Sequence, residues 1–248
     1  MIKDGHLTYR LIGKDHLTEV QIKIMYDLMQ AHYDHVTFEM FYYDLSNKQY
    51  IGLIEDEDES LQGFTTYVID PKACCGKTYH IIFSGDTIIH RDHWGSQIMM
   101  KGWCFTIGRL VASDSTKPWY WYLMSKGHRT YMYLPLFFKS YYPSLIKSED
   151  DEILANIANE VSSCLYGPDW KPESGLIKFK EHHGELNTDL AEDSYKKAKS
   201  SHVRFFLEKN PDFAKGDELV CIAQLHPDNL IRTARDFFVQ GMNHPIDL

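Results

Sequence analysis

The sequence predicts an α/β protein, and three observations carry that prediction. Residues 18–33 repeat apolar side chains at fourfold spacing (Val20, Ile24, Leu28, with Met25 and Met29 alongside), the stripe of an amphipathic helix. Two strand-like runs, 50–55 and 62–70, meet through the acidic tip Glu55-Asp56-Glu57-Asp58-Glu59, as in a solvated antiparallel hairpin. The third unit is a long apolar strand, a short turn holding Gly95 and a mostly apolar helix behind it.

The elements follow in order. Leu7–Ile12 alternates apolar and polar residues as a first strand, interrupted by Gly13 and Asp15. Thr18 is placed to cap the first helix, and Gln21 three residues later completes a capping box. A second helix covers Phe38–Leu45, and the hairpin comes next. Residues 71–77 form a loop with Pro71, Cys74, Cys75 and Gly76. Thr78–His90 is a long strand in which Gly85 marks a bulge or a close backbone approach. A helix begins near Ser96 and runs to Ala112. The aromatic strand Pro118–Met124 then leads through Gly127 into a helix over Tyr131–Tyr142, closed by Pro143. Beyond Ser148 the pattern gives a helix at Glu152–Leu165, a loop at 167–175 and a polar stretch at 180–201. A strand pair at His202–Glu208 and Glu218–Leu225 and a last helix over Pro227–Gln240 complete the chain.

Composition narrows the partners. At 248 residues the chain is long for one compact domain and short for two. Apolar residues at 44% and charged residues at 25% are globular values, and 14% aromatics is enough to line a cleft with rings. The net charge of −9 argues against nonspecific nucleic-acid binding, because phosphate contacts need Lys/Arg clusters. No apolar run reaches the roughly 18 residues of a membrane span. Met1–His6 lacks the charged and apolar regions of a signal peptide. The five cysteines are odd in number and include no C-x-x-C, which points to reduced thiols in a cytoplasmic protein.

Chemistry concentrates around Gly95. A helix N-terminus exposes unpaired N–H groups and a partial positive charge, so Trp94-Gly95-Ser96-Gln97 reads as a phosphate cradle. The preceding strand carries Asp86 and His90, which share one face if the strand pairs regularly. A histidine titrating near neutrality suits a general base. His90-x-x-His93 lacks the further ligands of a metal site, so no metal is expected.

The order strand, helix, helix, hairpin, long strand, turn, helix, strand, helix resembles that of the GNAT (N-acetyltransferase) superfamily. Gln62-Gly63-Phe64 resembles its "v-G-f" third strand, Ile88-Ile89 through Gly95 its fourth strand and acyl-CoA loop, and Phe137-Phe138-Lys139-Ser140-Tyr141-Tyr142 its "lYeklGF" helix. The resemblance covers residues 7–146. It implies a GNAT-like acyltransferase domain over 1–147, a mixed, largely antiparallel sheet flanked by helices; residues 148–248, which it leaves unaccounted for, are expected to form a C-terminal α/β extension packed on or completing the same domain. The implied reaction moves an acyl group from a phosphopantetheine thioester, either acyl-CoA or an acyl carrier protein, to the amine or hydroxyl of a small-molecule acceptor. Arg91, His93, Trp94, Gly95, Ser96 and Gln97 would then bind the carrier's phosphates. His90 or Asp86 would assist proton removal, and backbone groups at a split between the fourth and fifth strands would polarise the acyl carbonyl.

This chain departs from the family's Q/R-x-x-G-x-G/A loop, with Asp92 and Gln97 at the cation and second-glycine positions and Arg91 as the replacement cation. Phe137 stands where the helical tyrosine acid belongs, which leaves Tyr131 and Tyr133 as the acid candidates. The extension is expected to cover the acceptor side of the cleft or to form a homodimer contact. The same departures fit two other readings, a different reaction on this fold and a non-catalytic binding or regulatory module.

Overall fold

The computed structural model describes residues 1–71, 78–179 and 185–246, so Cys74, Cys75, His182 and His183 lie outside the described residues. The first half contains β1 (Ile2–Asp4), β2 (Leu7–Gly13), α1 (Glu19–Gln30), β3 (Tyr33–Asp34), α2 (Phe38–Ser46), β4 (Tyr50–Glu55) and β5 (Leu61–Ile69). Then come β6 (His80–Ile89), α3 (Ile98–Ser113), β7 (Trp119–Ser125), α4 (His128–Tyr131) and α5 (Tyr133–Phe137). The remainder holds α6 (Asp151–Tyr166), β8 (Trp170–Lys171), β9 (Leu176–Ile177), β10 (Glu185–Leu186), α7 (Thr188–Lys196), α8 (Ser201–Lys209), β11 (Glu218–Gln224) and α9 (Arg232–Met242).

The main sheet has the order β1-β2-β4-β5-β6-β7-β11-β9-β8. Every adjacent pair is antiparallel except β6 and β7, which run parallel. Alternation along the strands sorts the core into two faces. Trp121 and Leu123 join Trp103 of α3 and Phe238 of α9, while Tyr120 and Tyr122 join Leu154 and Val161 of α6. Ile51, Leu53 and Phe64 face Met25 of α1 and Phe41 of α2. The result is the mixed, mostly antiparallel sheet flanked by helices that the sequence predicted.

The polypeptide beyond Ser148 is woven into this sheet. Strand β11 pairs with β7 from Leu219↔Ser125 to Gln224↔Tyr120. Helix α9 lies on α3 at backbone contact. A Cβ added at Gly108 would meet the Phe238 carbonyl oxygen at 2.0 Å, and one at Gly241 would meet that of Phe105 at 2.0 Å. Only hydrogen fits at these two positions.

Local signals held at the N-terminal helix, where Thr18 and Gln21 form the full capping box ahead of Glu19. Two elements differ from expectation. The helix expected over Tyr131–Tyr142 stops at Phe137, because Phe138 turns extended and bridges Leu230 while Tyr142 bridges Ile222 of β11. Pro143, which follows Tyr142, also disfavours a helical conformation there. The strand expected at His202–Glu208 is instead α8, whose buried Val203 and Phe206 recur at helical spacing. Its β-branched and aromatic content imitates a strand, while the three-residue interval of its buried side chains does not.

Candidate functional site

The parallel pair is zipped only at one end. His80 through Phe83 pair with Trp119 through Tyr122, and the ladder stops there. His80 locks the closed end, its Nδ1 2.5 Å from Asp70 and its Nε2 2.9 Å from Asp114, with the ring stacked 4.2 Å from Trp119. Past Phe83 the two strands part, and cavities open on both sides of the gap.

A bulge sharpens the split. The β5–β6 register shifts between Phe64 and Thr66, so Asp86 and Thr87 stand opposite Thr65 alone. Asp86 takes φ of 39°, a left-handed backbone that few residues besides glycine adopt and that aspartate tolerates better than most. The bulge foreseen at Gly85 is therefore present, one residue on. It also breaks the regular pairing that would have put Asp86 and His90 on one face. Asp86 lines a cavity of about 320 Å³ beside the gap, whereas the His90 side chain is about half exposed and its Nδ1 receives the Asp92 N–H at 3.4 Å.

Three carboxyls and two ammonium groups line that cavity: Asp44, Asp86 and Glu218, with Lys48 and Lys126. Lys48 is buried and its ammonium lies 2.7 Å from Asp44 and 3.8 Å from Asp86. Burial works against that charge, but the Asp86 and Asp44 carboxylates outweigh it and hold Lys48 protonated. Lys126 pairs with Glu218 at 3.3 Å. Asp86 is pushed up to about 7, first by desolvation, with Lys48 opposing. A carboxyl titrating near neutrality inside a cavity has the properties of a proton acceptor.

The tyrosines separate cleanly. Tyr131 is fully buried and donates to the Pro143 carbonyl at 3.1 Å, with burial pushing its phenol up. Tyr133 is partly exposed in the crevice between the strands, and burial raises its pKa as well. Tyr33, which the sequence reading passed over, lines cavities on both sides of the gap.

The turn after β6 has an occupant from the chain itself. One carboxylate oxygen of Asp4 accepts from Ser96 Oγ at 2.7 Å and from the Gln97 N–H at 2.9 Å, and the other accepts from Lys101 Nζ at 2.7 Å. These hydrogen bonds, Lys101 first, hold Asp4 below the usual carboxylate range. Ser96 Oγ also takes the Ile98 N–H. At the start of α3 the Gln97 N–H is thus taken by an internal carboxylate and the Ile98 N–H by Ser96. Gly95 has open space where a Cβ would stand. The indole of Trp94 donates to the Ile89 carbonyl at 3.1 Å, and its ring lies 5.6 Å from Arg91 and 4.0 Å from Arg129 of α4.

A larger cleft, about 730 Å³, opens on this flank. Met99, Met100 and Met132 line its apolar part, and Thr87 and Thr130 line both this cleft and the acidic cavity. Its rim carries His93, Arg129, Lys196, Lys197 and Lys199, with no carboxylate among the described lining residues. His128, behind the rim, meets Ser194 Oγ at 2.6 Å and is pushed down to about 4 by burial and then by Arg129, so it is neutral at pH 7.

No family profile matches the chain, and no curated protein sequence matches it. Solved structures offer partial likenesses. An Enterococcus faecalis V583 protein described as a probable N-acyltransferase matches with 14% identity and a TM-score of 0.37, over 62% of this chain and 43% of that one. Escherichia coli ElaA matches with 14% identity and a TM-score of 0.38, over 58% of this chain and 93% of that one. This chain therefore spans less than half of the Enterococcus protein. No described helix is long and apolar enough to cross a membrane.

Proposed function

We propose that the chain transfers an acyl group from a phosphopantetheine thioester to an amine of a small-molecule acceptor. One observation carries the reading: β6 and β7 part at Phe83/Tyr122, and a bulge sets Asp86, pushed up to about 7 by desolvation, in the cavity beside the gap. The resemblance stated from the sequence supports it, because it implies a thioester seated at such a split.

The thioester enters along the basic cleft, with its acyl carbonyl at the gap beside Thr87 and Thr130. The acceptor occupies the acidic cavity, where carboxylates favour a cationic amine. Asp86 takes the amine proton as the nitrogen attacks the carbonyl carbon. The tetrahedral intermediate collapses, the C–S bond breaks, and Tyr133 gives its proton to the departing thiolate. The products are an amide and a free thiol: the ammonium loses its extra proton to solvent before attack, and the proton Asp86 takes replaces, by way of solvent, the one Tyr133 gives. His90 and Tyr131 have no part in this scheme, since one faces water and the other is committed to Pro143. The residues after Lys147 complete the same domain: Glu218 closes the acidic cavity, and Lys196 to Ser200 form one wall of the cleft.

Thiol release is the direct test. Acetyl-CoA, a long-chain acyl-CoA and an acylated carrier protein are each incubated with the protein and a panel of amines, and free thiol is followed against mass-spectrometric detection of the amide. Thioester binding without turnover would leave a binding module; neither binding nor thiol release with any donor would defeat the proposal.

A further inference from the structure

We infer that the donor's phosphate groups are held by the link between α7 and α8 together with Arg129, and not by the N-terminus of α3. The inference rests on the thioester reading above. The turn that would have cradled phosphate already holds the Asp4 carboxylate on Ser96 Oγ and the Gln97 N–H, with Lys101 neutralising it. A phosphate arriving there would meet a like charge.

The same cleft carries, on other residues, the charge that is missing at the turn. Lys196, Lys197 and Lys199 line the cleft within four residues of one another, together with Trp94 and His93. In a chain of net charge −9 this is a concentration against composition. Asp193 fixes two of the rim cations, 2.8 Å from Arg129 and 3.0 Å from Lys197, and Glu192 pairs with Lys196 at 3.3 Å. Among the described residues, Lys199 and Arg91 ion-pair with no carboxylate. The Trp94 ring lies under the Arg129 guanidinium and stays partly exposed, a flat platform beside the cations.

A second, independent observation points to a ligand in the same cleft. His32 lines it and is 8% exposed. Its Nδ1 lies 2.9 Å from the Leu28 carbonyl, which can only accept, so Nδ1 carries the proton. Burial, first, keeps the ring neutral, and Nε2 is then a bare acceptor with no hydrogen-bond partner among the described residues. A buried acceptor without a donor is uncommon and costly. A phosphopantetheine arm carries amide N–H groups able to satisfy it once the phosphates are seated at the rim.

Calorimetric titration of inorganic pyrophosphate, coenzyme A and phosphate-free pantetheine tests the assignment on three proteins: wild type, Lys196→Ala/Lys199→Ala, and Asp4→Asn. Pyrophosphate and coenzyme A are expected to bind wild type and to weaken at least about tenfold in the double-lysine variant, while pantetheine is unchanged. Asp4→Asn is expected to leave coenzyme A within about twofold of wild type. Failure of pyrophosphate to bind wild type overturns the site. So does coenzyme A binding that ignores the lysines, or that tightens tenfold in Asp4→Asn, and the thioester reading survives both. Lysine-dependent pyrophosphate binding without any coenzyme A binding keeps the anion site and removes the thioester.

Discussion

The two cavities flanking the split differ in how their charges are handled. On the acidic side, both lysines are tied to carboxylates, and the remaining carboxyl, Asp86, is driven toward neutrality by burial. On the other side the cations sit at an open rim, Lys196 and Lys197 with side chains 72% and 49% exposed, where water keeps them charged at little cost. Thr87 and Thr130 border both spaces. One strand gap therefore lies between a cavity where burial shifts a carboxyl's proton affinity and a cleft where exposed cations keep their charge. Burial decides which of the two a charged group does.

Removing the tuned carboxyl is the strongest way to break that contrast. Asp86→Asn is expected to lower kcat by about a hundredfold or more and to leave the donor KM unchanged, the range of a lost general base. In wild type the base must be ionised, so kcat/KM climbs through an apparent pKa near 7 and levels off above it. Stability moves the opposite way. The raised pKa means that the folded state keeps a proton the unfolded chain has lost, so this contribution is full below the unfolded value of 3.8 and disappears as pH rises through about 7. Asp86→Asn should therefore raise the thermal midpoint at pH 8 and not at pH 3.5. Equal turnover in the variant, or a flat wild-type pH profile, would remove Asp86 from the chemistry.

The sequence was legible where the signal is local, and less so where it is not. The capping box at Thr18 and the bulge near Gly85 need only neighbouring residues, and both are present. The direction of a bulged side chain cannot be read from even spacing, which is why His90 was paired with Asp86. Asp4 lies 93 positions before Gln97, and nothing in either neighbourhood announces their hydrogen bond. Lys48 and Glu218 reach the cavity from elements far from β6 in sequence, so no motif spacing could have assembled them. A run such as Lys196-Lys197-Ala198-Lys199 is visible, but it reads as a solvated helix end until the fold sets its lysines in one cleft with Trp94.

Tyr133 stands at the boundary between the two regions, and its removal has a smaller expected effect. Tyr133→Phe should reduce kcat by about tenfold to a hundredfold with an alkyl thioester donor. With an aryl thioester, whose thiolate leaves without help, the loss should shrink to about twofold. A deficit that is the same for both donors would make Tyr133 a packing residue.

The basic rim should respond to salt where the acidic cavity does not. Raising ionic strength from about 0.05 M to 0.5 M shortens the screening length severalfold, so the donor KM is expected to rise about fivefold while the pH midpoint of kcat stays in place. Arg129→Ala should raise the donor KM by a similar factor and shift the tryptophan emission, because the guanidinium leaves the face of Trp94. A salt response confined to the acceptor KM would invert the assignment of the two sides.

The smallest effect is expected at Tyr131, and it separates chemistry from support. Its hydroxyl is buried and given to the Pro143 carbonyl, its ring packs against Phe205 and Phe206 of α8, and it lines neither cavity. Tyr131→Phe keeps the ring and deletes the donor, which leaves the carbonyl without that hydrogen bond and costs about 1 kcal/mol of stability. Urea unfolding should show the midpoint fall with an unchanged slope, while kcat and both KM values stay within about twofold of wild type. If turnover instead fell as far as in Tyr133→Phe, the proton for the leaving thiolate would have to travel through Tyr131, and the division between a reacting gap and a supporting core would lie deeper than the burial of Tyr131 places it.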